Sequence, residues 1–281
     1  MKIDSHHHIW DLTVRDQDWI VGEALAPIRR NFLMPDYKAA TKPFGIDYSV
    51  IVQTVTNYAE TPELLELATK DEMVAGIVGW LDMSAEDAIS HLDHYQSLPG
   101  ASYLKGIRDI VQDHPDSNYL ARPQVDLNLK ELAKRGIAYD ILTKTPELPG
   151  AIKLVKANPQ AKFVLDHISK PYISKQELEP WSSLIKEIAA FENVVCKVSG
   201  IVTEADWNNW TSENIKPYFE IILENFGPNR LMYGSDWPVC TLAGSYEEVF
   251  GLANELSNQL SDSEKISFWS GCANRAYWLG L

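Results

Sequence analysis

The chain has 281 residues and carries 25 Lys plus Arg against 39 Asp plus Glu, a formal charge of −14. A balance this acidic, with no Lys/Arg stripe to offset it locally, repels phosphate backbones and anionic headgroups; it excludes nucleic acid and membrane surfaces and leaves a small ligand, neutral or held by a few local cations. The length suits one (β/α)8 barrel, for which about 250 residues is typical, and a hydrophobic fraction of 45% supplies a large core.

The N-terminus, MKIDSHHHIWD, lacks the apolar run of a signal peptide or anchor, and no later stretch approaches a membrane span. Short β-rich runs then alternate with helical patterns. The expected strands are Lys2 to Ile9, Tyr48 to Thr54, Val74 to Leu81, Tyr103 to Ile107, Ile137 to Leu142, Lys162 to His167, Asn193 to Ser199 and Arg230 to Gly234. Helical patterns cover 60–72, 85–98, 126–136, 146–159, 182–192, 216–227 and 247–269. Thr61 and Asp262 mark helix starts, and Gly136 and Gly227 helix ends. Eight strands with helices between them favour an α/β fold with a closed parallel barrel, a TIM barrel, over an open sheet. No linker divides the chain, so residues 1–281 read as one domain. The stretch from about 10 to 43 lacks clear periodicity; after the first barrel strand it would lie at the catalytic face as a lid or substrate loop.

The first chemical signal is Asp4-Ser5-His6-His7-His8. Alternation along a strand puts His6 and His8 on one face and His7 on the other, and two imidazoles at a strand end can hold one divalent cation. Asp4 would share that face one pleat deeper and orient an imidazole. A purification-tag fragment is the plain alternative, although the flanking residues suit it poorly. On the fourth strand Arg108 shares parity with Gly106, which leaves room inside the barrel. In FVLDHISKP, parity groups Phe163, Leu165 and His167, so that the barrel interior ends in an imidazole and Asp166 faces the other way. On the seventh strand Lys197 joins Val195 and Ser199 on the inner face. An unpaired charge inside a barrel is costly, which favours function for Arg108 and Lys197 over a structural ion pair. In LMYGSDWP, Asp236 stands at the last strand's C-terminal end, as a turn residue, as the oxygen that completes a three-nitrogen zinc set, or as a base for water. Trp10, Trp19, Trp80 and Trp237 fall near strand ends or in the first long loop and could present flat faces to a sugar, or pack in the core. Cys196, Cys240 and Cys272 are odd in number and widely spaced, which fits a reducing, by default cytoplasmic, compartment. Gly-rich phosphate loops and a GxSxG elbow are absent.

Together IDSHHHIWD, VQTVTNYAETPELLELA, LKGIRD, VLDHISKP, KVSGIVTEADW and RLMYGSDWPVC resemble, in order and over nearly the full chain, the amidohydrolase superfamily and its sugar-lactonase branch of L-fuconolactonase and L-rhamnono-lactonase type. That resemblance implies a (β/α)8 barrel with its site at the strand C-termini. The family's HxH falls on His6 and His8, its sixth-strand His on His167, its eighth-strand Asp on Asp236 and the Arg of its GIR motif on Arg108. It implies one divalent metal, zinc first, or none; the fifth strand has no His for a second. The expected reaction is hydrolysis of a sugar-acid lactone. Asp236 would act as base with His167 and Arg108, and Lys197, Trp10 and Trp237 would bind substrate beside Arg108. The alternatives are a metal-dependent decarboxylase of an unsaturated or aromatic acid on the same barrel, and a sugar-acid binding protein without turnover. A homo-oligomer is compatible with the pattern.

Overall fold

The computed structural model describes residues 1–281. Its strands are Ile3–His7 (β1), Tyr48–Val52 (β2), Val74–Gly79 (β3), Leu104–Ile110 (β4), Ala138–Leu142 (β5), Phe163–Leu165 (β6), Val194–Val198 (β7) and Leu231–Tyr233 (β8). They pair in parallel and in chain order as one eight-stranded sheet. The ends meet where His7 bridges Trp237, just past β8. There Asp236 N–H donates to the His6 carbonyl at 2.8 Å and His8 N–H to the Trp237 carbonyl at 2.6 Å. The fold is the expected (β/α)8 barrel.

The surrounding helices are Met34–Thr41 (α1), Glu60–Ala68 (α2), Ala88–Ser97 (α3), Pro123–Lys134 (α4), Leu148–Ala157 (α5), Trp181–Ala189 (α6), Ser212–Phe226 (α7), Tyr246–Leu256 (α8), Asp262–Ile266 (α9) and Cys272–Tyr277 (α10). Their buried residues recur at helical spacing, as Trp181, Ile185, Ile188 and Ala189 do in α6, which turns an apolar stripe onto the sheet. Gly136 and Gly227 end α4 and α7 with φ of 68° and 71°. Of the two expected starts, Asp262 is the first residue of α9 and Thr61 the second of α2. The Thr61 hydroxyl accepts the Trp80 N–H at 3.0 Å, and Ser261 caps α9 in a capping box with Glu264. The pattern over 247–269 is divided among α8, α9 and a π turn at Ser267–Gly271, while α1 lies within the stretch that lacked periodicity.

Each strand has an outer face against the helices and an inner one. The inner apolar residues are Ile3, Val50, Val52, Val78, Ala138, Val164 and Met232, and α10 packs on them through Cys272, Ala273, Ala276 and Tyr277. This plug sits at the strands' N-terminal end: Lys105 and Lys162, at the starts of β4 and β6, donate to the Trp278 and Arg275 carbonyls.

Two parities differ from expectation, and each decides where a site residue points. In β1 the register shifts between Asp4 and His7, spending one more residue than β2 does. This bulge keeps Ile3 and His6 both inside and turns Asp4 outward with His7. In β6 the inner residue is Val164, while Phe163 and Leu165 face the helices. Asp166 therefore points into the barrel.

Candidate active site

The strand C-termini bring His6, His8, His167 and Asp236 together. The His8 Nδ1 donates to the Val52 carbonyl at 2.7 Å, because a carbonyl can only accept, and this leaves a lone pair on Nε2. That Nε2 lies 3.2 Å from the Nε2 of His6. Two lone pairs cannot meet at this distance, so a proton or a cation must lie between them. Asp236 Oδ1 sits 3.3 Å from His8 Nε2, 3.8 Å from His6 Nε2 and 3.9 Å from His167 Nε2. Ligand atoms on a tetrahedron with bonds of about 2.0–2.1 Å lie roughly 3.3 Å apart. The donor set of three nitrogens and one oxygen fits a zinc-like ion, and His6, His167 and Asp236 offer ligand atoms all within 4.8 Å of one another.

His167 reaches this point by a backbone turn, not by strand parity. After Leu165 the residues His167, Ile168, Ser169 and Lys170 all have positive φ, between 45° and 58°. Such geometry is costly outside glycine and persists only where the surroundings impose it. Here Trp181 Nε1 donates to the Ile168 carbonyl at 2.7 Å, and Ser169 and Thr143 share a hydroxyl hydrogen bond at 2.8 Å. The ring itself is held through Nδ1 by Ser199 Oγ at 2.9 Å. Residue 200 must be glycine, since its φ is 58° and a Cβ would stand 2.5 Å from the His167 ring.

Beneath these groups lies a closed set of charges. Lys197 Nζ contacts Asp140 Oδ2 at 2.6 Å, Asp166 Oδ1 at 3.0 Å and His6 Nδ1 at 3.2 Å. Arg108 donates to Asp166 Oδ2 at 3.2 Å and to the Gln53 carbonyl at 2.6 Å, and it approaches His6 Nε2 at 3.4 Å. Two cations thus offset two carboxylates out of water, the condition under which buried charge is tolerated. Asp236 is left as the carboxylate on the cavity floor, beside the imidazoles. Asp166 and Asp140 are the residues beneath the site that sequence reasoning missed. Asp166 was hidden by the misread parity; Asp140, a lone acid within AYDIL, was the available signal.

Burial disfavours charge on His6, and the adjacent Lys197 adds to this, so its pKa lies well below the imidazole norm; His167 is lowered by burial too. Burial alone would raise Asp236, but the neighbouring His167 and His8 outweigh it and hold the carboxyl below its ordinary value. Burial likewise works against Asp166, where Lys197 and Arg108 prevail and keep it ionised.

A cavity of about 320 Å³ opens above the four ligand-type residues. His8, Arg108, His167 and Asp236 form its floor, and Thr54, Thr56, Gln112 and Lys170 add polar groups to a wall containing Val55, Ile110 and Leu142. The segment after β1 contributes Asp18 and Trp19. Of the expected substrate contacts, Arg108 lies in this floor, and Lys197 lies below it, fully buried. Trp10 and Trp237 do not line the cavity. Trp10 faces a separate apolar cavity of about 270 Å³ beside α2 and donates Nε1–H to the Arg30 carbonyl, and Trp237 packs edge-on against Phe32. Trp19 is the aromatic that the wall presents. Asp4, expected beside the imidazoles, instead accepts from Tyr37 Oη at 2.9 Å and from the Ser235 and His6 amides at 2.8 and 3.2 Å, on the outer side of the β1–β8 seam.

Comparison with known proteins agrees with this fold. The family model described as Amidohydrolase matches residues 3–279. The chain is 32% identical to the L-fucono-1,5-lactonase of Burkholderia multivorans over 290 residues, covering 99% of this chain and 96% of that one. It is 32% identical to the L-fucono-1,5-lactonase of Burkholderia ambifaria over 245 residues, 87% of this chain and 83% of that one. Among solved structures it is similar to an amidohydrolase of Burkholderia multivorans with bound zinc, at a TM-score of 0.92 and 32% identity over 99% of both chains.

Proposed function

The chain belongs to the amidohydrolase family, and from that premise we propose that it is a hydrolase opening the lactone ring of a sugar acid with an activated water. The observation that carries the reading is the placing of one cavity-facing carboxylate, Asp236, within 3.3 to 3.9 Å of three imidazoles beside a guanidinium. In this reading Asp236 takes a proton from water, and the hydroxide adds to the lactone carbonyl. Arg108 faces the oxygen on which negative charge develops. The ring C–O bond then breaks, and Asp236 returns its proton to the leaving ring oxygen, giving a hydroxy acid. A divalent ion, zinc by the donor set, would be held by His6, His8, His167 and Asp236 and when bound would polarise the carbonyl and acidify water. His8 and His167 are held for that task by Val52 and Ser199. Trp19 offers its face, and Thr54, Thr56 and Gln112 offer hydrogen bonds, to a polyhydroxylated ring.

Three unpaired buried cysteines support a reducing compartment, by default the cytoplasm, and a sugar-acid lactone as substrate would place the enzyme in carbohydrate metabolism. No helix is long and apolar enough to cross a membrane.

A panel of aldonolactones read by a pH indicator, with chelator and with added zinc, tests the reading. The Asp236→Asn protein should lose at least about a thousandfold in kcat while unfolding at the wild-type urea midpoint. Retention of near wild-type turnover would remove Asp236 from its role. Carbon dioxide released from aromatic acids, with no lactone opened, would favour the decarboxylase alternative; sugar-acid binding without turnover would favour the binding protein.

A further inference from the structure

The closed end of the barrel is joined to the catalytic floor by a line of buried groups. Tyr277, on α10, donates its hydroxyl to Asp140 Oδ2 at 2.5 Å. The same oxygen receives Lys197 Nζ at 2.6 Å, and Nζ goes on to Asp166 Oδ1 at 3.0 Å and His6 Nδ1 at 3.2 Å. Tyr277, Asp140, Lys197, Asp166 and His6 are all at 0% exposure. Gly106 leaves room for the line, since a Cβ there would crowd it at 3.1 Å from Asp140 Oδ1 and 3.3 Å from the Tyr277 ring. The other Asp140 oxygen has no hydrogen-bond partner, so Tyr277 and Lys197 alone set where this carboxylate sits. Buried polar groups without alternative partners transmit the loss of one bond to the next, because no water replaces it.

We propose that Tyr277 is a positioning residue for the reaction: its hydroxyl fixes Asp140, Asp140 fixes the Lys197 ammonium, and the ammonium fixes Asp166 and His6. It touches neither the cavity nor the reacting atoms. Tyr139 supplies an internal control, being equally buried but with a hydroxyl that has no partner. Tyr277→Phe keeps the ring, which Lys197 Nζ overlies at 5.3 Å, and deletes only the hydroxyl.

The kinetic arm rests on the lactone reading; the spectroscopic arm does not. Tyr277→Phe should lower kcat about tenfold with KM within about twofold, the size seen for groups that orient a working imidazole. Asp140→Asn should cost more, and the double variant no more than Asp140→Asn alone, as one connected unit requires. Tyr139→Phe should match wild type. In protein labelled with 15N-histidine, the ring nitrogens of His6, assigned with a His6→Gln variant, should shift in Tyr277→Phe and not in Tyr139→Phe. If wild type opens no lactone, the lactone reading fails and the His6 signals still decide the inference. Unmoved His6 nitrogens in Tyr277→Phe, or losses that add fully in the double variant, would overturn it.

Discussion

His7 stands between His6 and His8 yet faces the helices, its ring stacked on Tyr37 at 3.7 Å with both nitrogens unpartnered. Burial, with His8 adding to it, holds its pKa well below the usual 6.5. An unfolded chain protonates this ring below about pH 6.5 while the folded one does not, so the unfolded state binds more protons and stability falls as pH drops. Asp4 works in the opposite sense: burial raises it to about 6 from 3.8, the folded state holds the extra proton, and stability falls as pH rises between those values. His7→Phe should therefore raise stability by about 1 kcal/mol at neutral pH by removing unpartnered polar atoms, and by more at pH 5.5. Urea midpoints at both pH values check this, and an equal gain at both would contradict it. At this scale the sequence exposed residue types but not their directions. His6, His8, Arg108, Lys197 and Asp236 could be nominated from type and strand end; Asp166 could not, because reading its direction requires knowing which parity of a three-residue strand faces inward.

Two strands explain most of the difference. β1 carries a bulge, and a bulge inverts every parity inference across it, which is why Asp4 and His6 part company although the spacing pairs them. β6 ends at Leu165, and a left-handed turn rather than the pleat aims His167. Its support comes from a distant element, since Trp181 at the head of α6 bonds the Ile168 carbonyl. Trp181→Phe should cost about 2 kcal/mol in stability through the lost hydrogen bond and the space left behind. By releasing the turn it should also lower kcat several-fold with little change in KM. A stability loss with unchanged kcat would show that the turn holds itself. Helices were more legible than the strand ends because their apolar spacing is long enough to average over single residues, whereas α1 and the breaks after α8 depend on tertiary packing.

The whole chain carries −14, while the four charges beneath the site cancel. The global field therefore acts on what enters and leaves more than on the chemistry. A neutral lactone is indifferent to it, and an aldonate anion is repelled. Raising ionic strength toward 0.15 M, where the screening length falls to about 8 Å, should tighten inhibition by the product acid about two- to threefold while leaving KM for the lactone unchanged. Equal shifts in both would assign the effect to the cavity itself. Barrel architecture was the most readable level, since eight alternations in about 280 residues leave few other closures.

The seam between β1 and β8 brings His6 and His8 beside Asp236, from opposite ends of the chain. Two of the four ligand-type residues thus leave the ribosome among the first residues and Asp236 among the last fifth. No nascent or truncated barrel that lacks β8 can assemble the site, however well its helices form. Recovery of catalysis during refolding should consequently lag behind recovery of helical signal, because joining segments so distant in sequence is the slow, entropically costly step.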